Sequence, residues 1–331
     1  MIKKIIKKIP FSKNIIGFVK NKLMYFQFLK DASFYEKNYM LSKNKTINKI
    51  QYNIILNVHS IEKGMSCSKM RPFGVDKIKT LIELLKEYDK IEAKSDFAYN
   101  LGYSTLNKYK DIYEKNNWND KNEYIIVKKF LEIKNEYKEI PVGSFEYIYN
   151  DYKKYANIDY QNFVNSRHSV RNFSSKSLLD KDIKQAVEIA IKSPSACNRQ
   201  MCKIYYAKKD TSKNIIEQYA QGLTGFDLSN INYFIITFDI NSNYFVGDRN
   251  QGWFNAGLIA MNFVNGLHSL GIGSCFIQFA NSYNQEKKIK KELNIPTNER
   301  IAVILAVGYY AETSKIPYSS RKNVNDIYFE R

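Results

Sequence analysis

The chain has 331 residues, 44% of them hydrophobic and 15% aromatic, with a formal net charge of +18. That composition excludes a disordered chain, and the length predicts two domains with room for a full core. The charge has two readings: a nucleic-acid or anionic-membrane partner, or lysines spread over solvated helix faces. The lysines are scattered and no zinc-finger, homeodomain or RNA-recognition pattern accompanies them, so the second is preferred and no specific nucleic-acid partner is expected.

Residues 1–30 place Ile2, Ile5, Ile6 and Ile9, then Ile15, Ile16, Val19 and Leu23, at helical spacing, with lysines in the gaps and Pro10 breaking the run. Such a basic amphipathic segment either lies on an anionic membrane, giving peripheral contact at the inner face, or docks its apolar stripe on the rest of the protein. It lacks the continuous apolar run and cleavage site of a signal peptide, and nowhere do eighteen apolar residues follow one another, so a transmembrane helix is not expected.

Residues 31–155 read as mostly helical, with clear helices over Thr80–Tyr88 and Tyr124–Ile133. Between them and Ile55, the stretch His59-Ser60-Ile61-Glu62-Lys63-Gly64 followed by Arg71-Pro72-Phe73-Gly74 reads as a structured loop. Its charged groups serve either ion pairs and caps or a substrate.

From about residue 157 helices and strands alternate. Ile158–Asn165 is a short helix, and Ser177 with Asp180 resembles a capping box opening a helix to Ile191. Strands are expected at Cys202–Ala207, Tyr233–Phe238, Ser274–Gln278 and Ile301–Gly308, the last nearly all apolar and therefore central. Helices are expected at Ser212–Gln221, Gly252–Leu270 and Gln285–Leu293, the second closed by a glycine cap at Gly271. The division is thus 1–155, mostly helical, and 156–331.

Four cysteines, Cys67, Cys197, Cys202 and Cys275, have spacing that fits neither a disulfide framework nor a zinc site. They read as small hydrophobes or free thiols in a reducing compartment, hence a cytoplasmic protein. His59, His168 and His268 lack metal-ligand spacing, so no metal is expected. Gly271-Ile272-Gly273 follows a helix and precedes a strand, the reverse of a dinucleotide-binding loop. Walker A and Gly-x-Ser-x-Gly patterns are absent.

Two stretches carry the chemistry. Arg167-His168-Ser169-Val170-Arg171 packs two guanidinium groups, an imidazole and a hydroxyl into five residues, which suits a phosphate and its polyol tail. Pro194-Ser195-Ala196-Cys197-Asn198-Arg199-Gln200 is a turn rich in groups that hydrogen-bond a flat heteroaromatic edge. Together they point to a phosphorylated, ring-bearing cofactor.

These motifs, in order with the helix Gly252–Leu270, the following Gly-Ile-Gly-Ser-Cys-Phe-Ile-Gln, the strand ending Val307-Gly308-Tyr309 and the tail Lys315-Ile316-Pro317 with Arg321, resemble the nitroreductase family over residues 157–331. The resemblance implies an α+β fold, a nitroreductase-like central mixed or antiparallel sheet flanked by helices, preceded here by a helical region. It implies an intertwined homodimer with FMN at the subunit interface. Carried over by position, Arg167, Ser169 and Arg171 would bind the phosphate, ribityl chain and pyrimidine edge, and His168 would act through its backbone. Pro194, Ser195, Ala196, Asn198 and Gln200 would approach the ring from the partner subunit. Phe276, Ile277 and Gln278 would lie along it, and Arg321 would close on the phosphate.

The activity so implied is an FMN-dependent oxidoreductase passing hydride from NAD(P)H (NADH or NADPH) to a small organic acceptor by a ping-pong cycle, with no side chain nominated as catalytic. The alternative, motivated by the basic N-terminus, is a flavin-binding scaffold or sensor without turnover in a membrane-associated pathway; separately, the His-x-Ile-Glu-Lys-Gly stretch resembles one in N-terminally extended family members near surface-polysaccharide pathways. Two departures stand out. Ser319 occupies the place of a common family lysine, with Lys315 or Lys322 as substitutes. The segment between Gly222 and Tyr233 is short for a lid, so either the flavin face is more open or the N-terminal half covers it, with His59, Glu62, Lys63 and Arg71 then lining the substrate pocket.

Overall fold

The computed structural model describes residues 12–67, 70–91, 96–133, 136–145, 158–223, 226–314, 316, 319 and 321–331. Its N-terminal helices are α1 (Ser12–Asn38), α2 (Ile47–Met65), α3 (Val75–Tyr88), α4 (Asp96–Lys115) and α5 (Asn122–Leu131). Residues 1–11 of the basic segment lie outside the described residues. Helices α2 to α5 bury one core, in which Ile54, Val58, Ile61 and Met65 from α2 meet Leu81, Leu85, Tyr109 and Tyr113. Burying apolar side chains contributes roughly 1.5–3 kcal/mol each and supplies most of what holds such helices in place.

One sequence expectation fails here. Residues 59–65 are not a loop but the last turns of α2, and the loop is confined to residues 66–74. The apolar positions 54, 58, 61 and 65 continue at helical spacing, which outweighs Gly64. That glycine is required by packing: an added Cβ would stand 2.2 Å from the Phe73 ring. Glu62 is likewise used structurally, accepting from the backbone N–H of Gly143 at 3.1 Å.

The C-terminal part holds α6 (Tyr160–Ser166), α7 (Asp180–Ala190), β1 (Cys202–Ala207), α8 (Asp210–Tyr219), β2 (Asn232–Asp239), α9 (Gln251–Ser269), β3 (Ile272–Ile277), α10 (Tyr283–Glu292) and β4 (Glu299–Tyr309). The strands form one antiparallel sheet, ordered β1-β2-β4-β3. The apolar run of β4 is central, as its composition predicts. Two layers cover the sheet. Helices α7 and α9 bury Ala186, Phe263 and Leu267 against Phe234 and Leu305, while Ile216 of α8 and Ile289 of α10 meet Ile235 and Ile304.

The Ser177–Asp180 capping box does not form, because α7 starts after Leu179 without a side-chain cap. A capping box does open α10, where the Ser282 hydroxyl accepts from Gln285 N and the Gln285 amide reaches back to Ser282 N. Both pairs fit the pattern, and only the second stands at a helix start. Gly271 closes α9 at φ 72°, a left-handed conformation that favours glycine.

The two parts meet along α1 and α2. Asp31 pairs with Arg300 at 3.1 Å, and Asn48 donates to the buried carboxylate of Asp239 at 2.8 Å. Helix α2 also lies against the turn Ala196–Asn198.

Candidate anion-binding site

The arginine-rich stretch leaves α6 as extended backbone at Arg167. It is fastened to the end of the sheet by an isolated bridge between Ser169 and Ser274 and a second between Phe173 and Tyr310. Val170 N donates to Ser274 O at 3.1 Å, and Ser174 N to Tyr309 O at 2.9 Å. A pair of glycines explains the close approach. Gly273 of β3 is in register with Gly308 of β4. A Cβ on Gly273 would stand 2.4 Å from the Val170 side chain, and one on Gly308 would stand 2.7 Å from Phe173 Cβ. The trough left by two missing side chains seats Val170 and Phe173, both buried, and the alternation of the extended chain turns Ser169 and Arg171 away from it.

Arg167 and Arg171 therefore sit over β3. Both lie near the Cys275 thiol, which burial pushes up while the two guanidinium groups and Ser169 oppose the shift. Arg171 stacks on Phe226, 5.7 Å from the ring centroid, and donates to Ser169 O at 3.4 Å. Below them His268, at the end of α9, bonds Ser166 Oγ at 2.9 Å and Tyr310 OH at 2.8 Å. Burial holds its imidazole below the usual histidine range, with Arg167 and His168 adding in the same direction. Among the described residues neither Arg167 nor Arg171 pairs with a carboxylate. Two half-exposed guanidinium groups without a counter-ion, beside a hydroxyl, suit a polyoxygenated anion.

The other predicted residues fall into three groups. His168 is exposed, and Phe276 is 43% exposed on β3, whereas the side chain of Ile277 is buried in the core, leaving only its backbone to face a ligand. Gln278 is exposed just past β3, its carbonyl accepting from Gln221 N at 3.1 Å. Arg321 is exposed and its guanidinium donates to Ser319 O; Lys322 is exposed, and Lys315 lies outside the described residues.

Pro194, Ser195, Ala196, Asn198 and Gln200 form a separate turn. It borders a small cavity of about 130 Å³ lined by Pro194, Ser195, Gln200, Asn255 and Ile259. Cys197, Asn198 and Gln200 adopt left-handed φ of 52°, 52° and 51°, strained for residues other than glycine and asparagine. Ser195 Oγ accepts from Gln200 N at 3.0 Å, which fixes the turn internally. The turn packs near Asn255, while the arginine stretch packs near His268. Thirteen residues of helix at about 1.5 Å each separate these two contact points by roughly 20 Å.

What sequence reasoning missed is the anchor of this turn. Arg199 is 2% exposed; it pairs with Asp248 at 2.7 Å and donates to Ala196 O at 2.9 Å and Ser242 O at 2.5 Å. A charged residue within a Pro/Ser/Asn turn was the available signal. Phe226 and the Ser166–His268–Tyr310 chain left no sequence signal, since their partners are distant in sequence.

Of the N-terminal residues predicted to cover the site, Lys63 and Arg71 are exposed and Glu62 is spent on Gly143. The Cys202 thiol is pushed up to about 12 by burial, whereas Cys67 and Cys197 are exposed.

Residues 164–227 and 234–309 match the model of the Nitroreductase family. The matched residues all lie in the C-terminal part of the chain. No curated protein matches the chain. Among solved structures it is similar to a nitroreductase family protein from Streptococcus pneumoniae TIGR4, at 24% identity over 52% of this chain and 100% of that one, TM-score 0.45. It is also similar to a putative nitroreductase from Bacillus subtilis, at 20% identity over 52% and 99%, TM-score 0.47. A putative nitroreductase from Desulfovibrio desulfuricans, in complex with FMN, matches at 18% identity over 53% and 98%, TM-score 0.45.

Proposed function

We propose that the chain is an FMN-dependent oxidoreductase that works as a homodimer. The observation that carries this is the pair of guanidinium groups of Arg167 and Arg171, which lack a carboxylate partner among the described residues, held beside Ser169 by the glycine trough. A phosphate monoester fits that donor set: two cations meet its charge, and each charged hydrogen bond contributes about 1.5–3 kcal/mol. Arg167, Ser169 and Arg171 would hold the phosphate and polyol tail, with Arg321 closing on them. The exposed Phe276 and the backbone of Ile277–Gln278 would face the ring, and Arg171 would alternatively partner its pyrimidine edge. FMN, when bound, supplies hydride acceptance from NAD(P)H and delivery to a small organic acceptor such as a nitroaromatic, quinone or enone. The chain's own part is to bind, orient and shield.

The roughly 20 Å separation between the arginine stretch and the 194–200 turn, estimated from helix rise, supports a second copy. Two copies placed in opposition would bring one chain's turn to the other's arginines. Exposed apolar groups support this: Phe254 and Met261 on α9, and Val324, Ile327 and Phe329 in the tail.

The test is the protein as purified. It is expected to be yellow, dimeric by light scattering, and bleached within seconds by NADH or NADPH. R171A is expected to lower FMN affinity about tenfold or more, with the fold intact by circular dichroism. Full flavin binding by an R167A/R171A protein would refute the site. Bound flavin that neither nucleotide reduces would leave a scaffold in place of the enzyme.

A further inference from the structure

We propose that the N-terminal two-thirds of α1 is a membrane-docking element, with residues 23–29 inserted into one leaflet of an anionic phospholipid surface. The observations are independent of the flavin reading.

The C-terminal end of α1 is firmly seated. Phe34 is buried, with Lys290 and Arg300 at 5.3 and 5.7 Å from its ring centroid, and Tyr35 OH donates to Phe245 O at 2.6 Å. Gln27 also touches the body, its side-chain oxygen accepting from Tyr283 N at 3.1 Å. Around it apolar side chains stand exposed, although Phe28 also borders a cavity it shares with Trp253 and Arg300. Leu23, Met24, Tyr25, Phe26, Phe28 and Leu29 are 46% to 67% exposed. At 100° per residue these six are spread around the helix instead of along one stripe, leaving to polar contact only the direction in which Gln27 meets Tyr283. A helix that is apolar all round belongs in surroundings that are apolar all round. A flat protein face, or one helix of a second copy, would cover a single side; acyl chains cover all of them.

Charge selects the kind of surface. Residues 1–30 contain eight lysines and no aspartate or glutamate. In the sequence Lys20 and Lys22 precede the apolar turns and Lys30 follows them, so the apolar stretch is flanked by positive charge on both sides. Depth is limited by length. Seven residues span about 10 Å against a hydrocarbon core of about 30 Å. Among the described residues no helix is long and apolar enough to cross a membrane. The element therefore rests in one leaflet, where apolar insertion and lysine attraction act together.

The experiment is flotation of the full chain with vesicles of phosphatidylcholine alone or mixed with phosphatidylglycerol. Flotation is expected with the mixed vesicles and to fall severalfold at about 0.5 M salt, where screening is short-ranged. M24E/F26E is expected to reduce the bound fraction about tenfold while leaving the melting temperature unchanged, because both side chains are solvent-exposed without vesicles. K3Q/K4Q/K7Q/K8Q is expected to remove most of the preference for phosphatidylglycerol. Three results would each overturn the proposal: no flotation, flotation indifferent to phosphatidylglycerol, or flotation of M24E/F26E at the wild-type level. A fourth would do so by identifying a different occupant: M24E/F26E separating a wild-type dimer into monomers without vesicles, which would give these side chains to a second copy.

Discussion

Arg199 shows how one residue joins fold to site. Its guanidinium is buried, and its three partners lie on two segments, the 194–200 turn and residues 242–248. Removing one side of a buried pair leaves the other charge uncompensated, at a cost of about 3–5 kcal/mol. R199M is therefore expected to lose about 3 kcal/mol in urea denaturation, with the lower figure favoured because Asp248 also accepts from Tyr244 N at 3.0 Å. D248N is expected to cost less, and the double variant less than the sum of the two, with a coupling above about 1 kcal/mol. Strict additivity would show that the pair is not coupled. This residue also marks the limit of sequence reading at this scale. Arg167, Ser169 and Arg171 were legible because one extended segment presents all three together. Arg199 stands in an equally suggestive motif but turns inward, and its burial is decided by Ser242 and Asp248, more than forty positions away.

At the scale of elements, the sheet end is shaped by what it lacks. Gly273 and Gly308 stand side by side and seat Val170 and Phe173. Sequence pattern located both strands and the Gly271 cap but placed the start of β3 at Ser274, beyond the glycine that the site depends on. Period and propensity report which residues form a strand; the neighbour that requires a missing side chain comes from elsewhere in the chain. The same limit applied to α2, where glycine and charge suggested a loop although apolar spacing carried the helix to Met65. G273A tests the trough. The added methyl would meet a stiff β-branched side chain at 2.4 Å, and overpacking of this kind typically costs 1–3 kcal/mol. Because Val170 lies between Ser169 and Arg171, the displacement is expected to act on ligand binding as well as stability. FMN affinity should fall about tenfold in G273A, and V170A/G273A should recover part of it by reopening space. Equal affinity in G273A and wild type, by fluorescence titration, would show that the segment is held by its hydrogen bonds alone.

Across the whole molecule, the helical N-terminal part and the sheet are joined through buried polar groups. Asp239, at the end of β2, accepts from Asn48 at 2.8 Å and Tyr52 at 3.4 Å, both on α2, and from Asn241 N at 2.9 Å. No local pattern announces this joint, since Asn48 and Asp239 are 191 positions apart. Burial raises the Asp239 carboxyl above its ordinary value of 3.8, and its hydrogen bonds and Lys203 offset only part of the rise. The sign of the pH dependence follows. A carboxyl raised in the folded state binds its proton more tightly there than in the unfolded chain. Its favourable contribution is complete below 3.8 and is lost as pH rises through the folded value. D239N keeps the shape and removes the titration. The melting temperature of wild type minus that of D239N is expected to move in favour of wild type as pH falls from about 7 to about 4. The comparison by difference cancels the other carboxylates, which titrate in both proteins. A difference that moved the opposite way would mean that the cations nearby, Lys203 and Lys49, favour the carboxylate's charge more than burial opposes it.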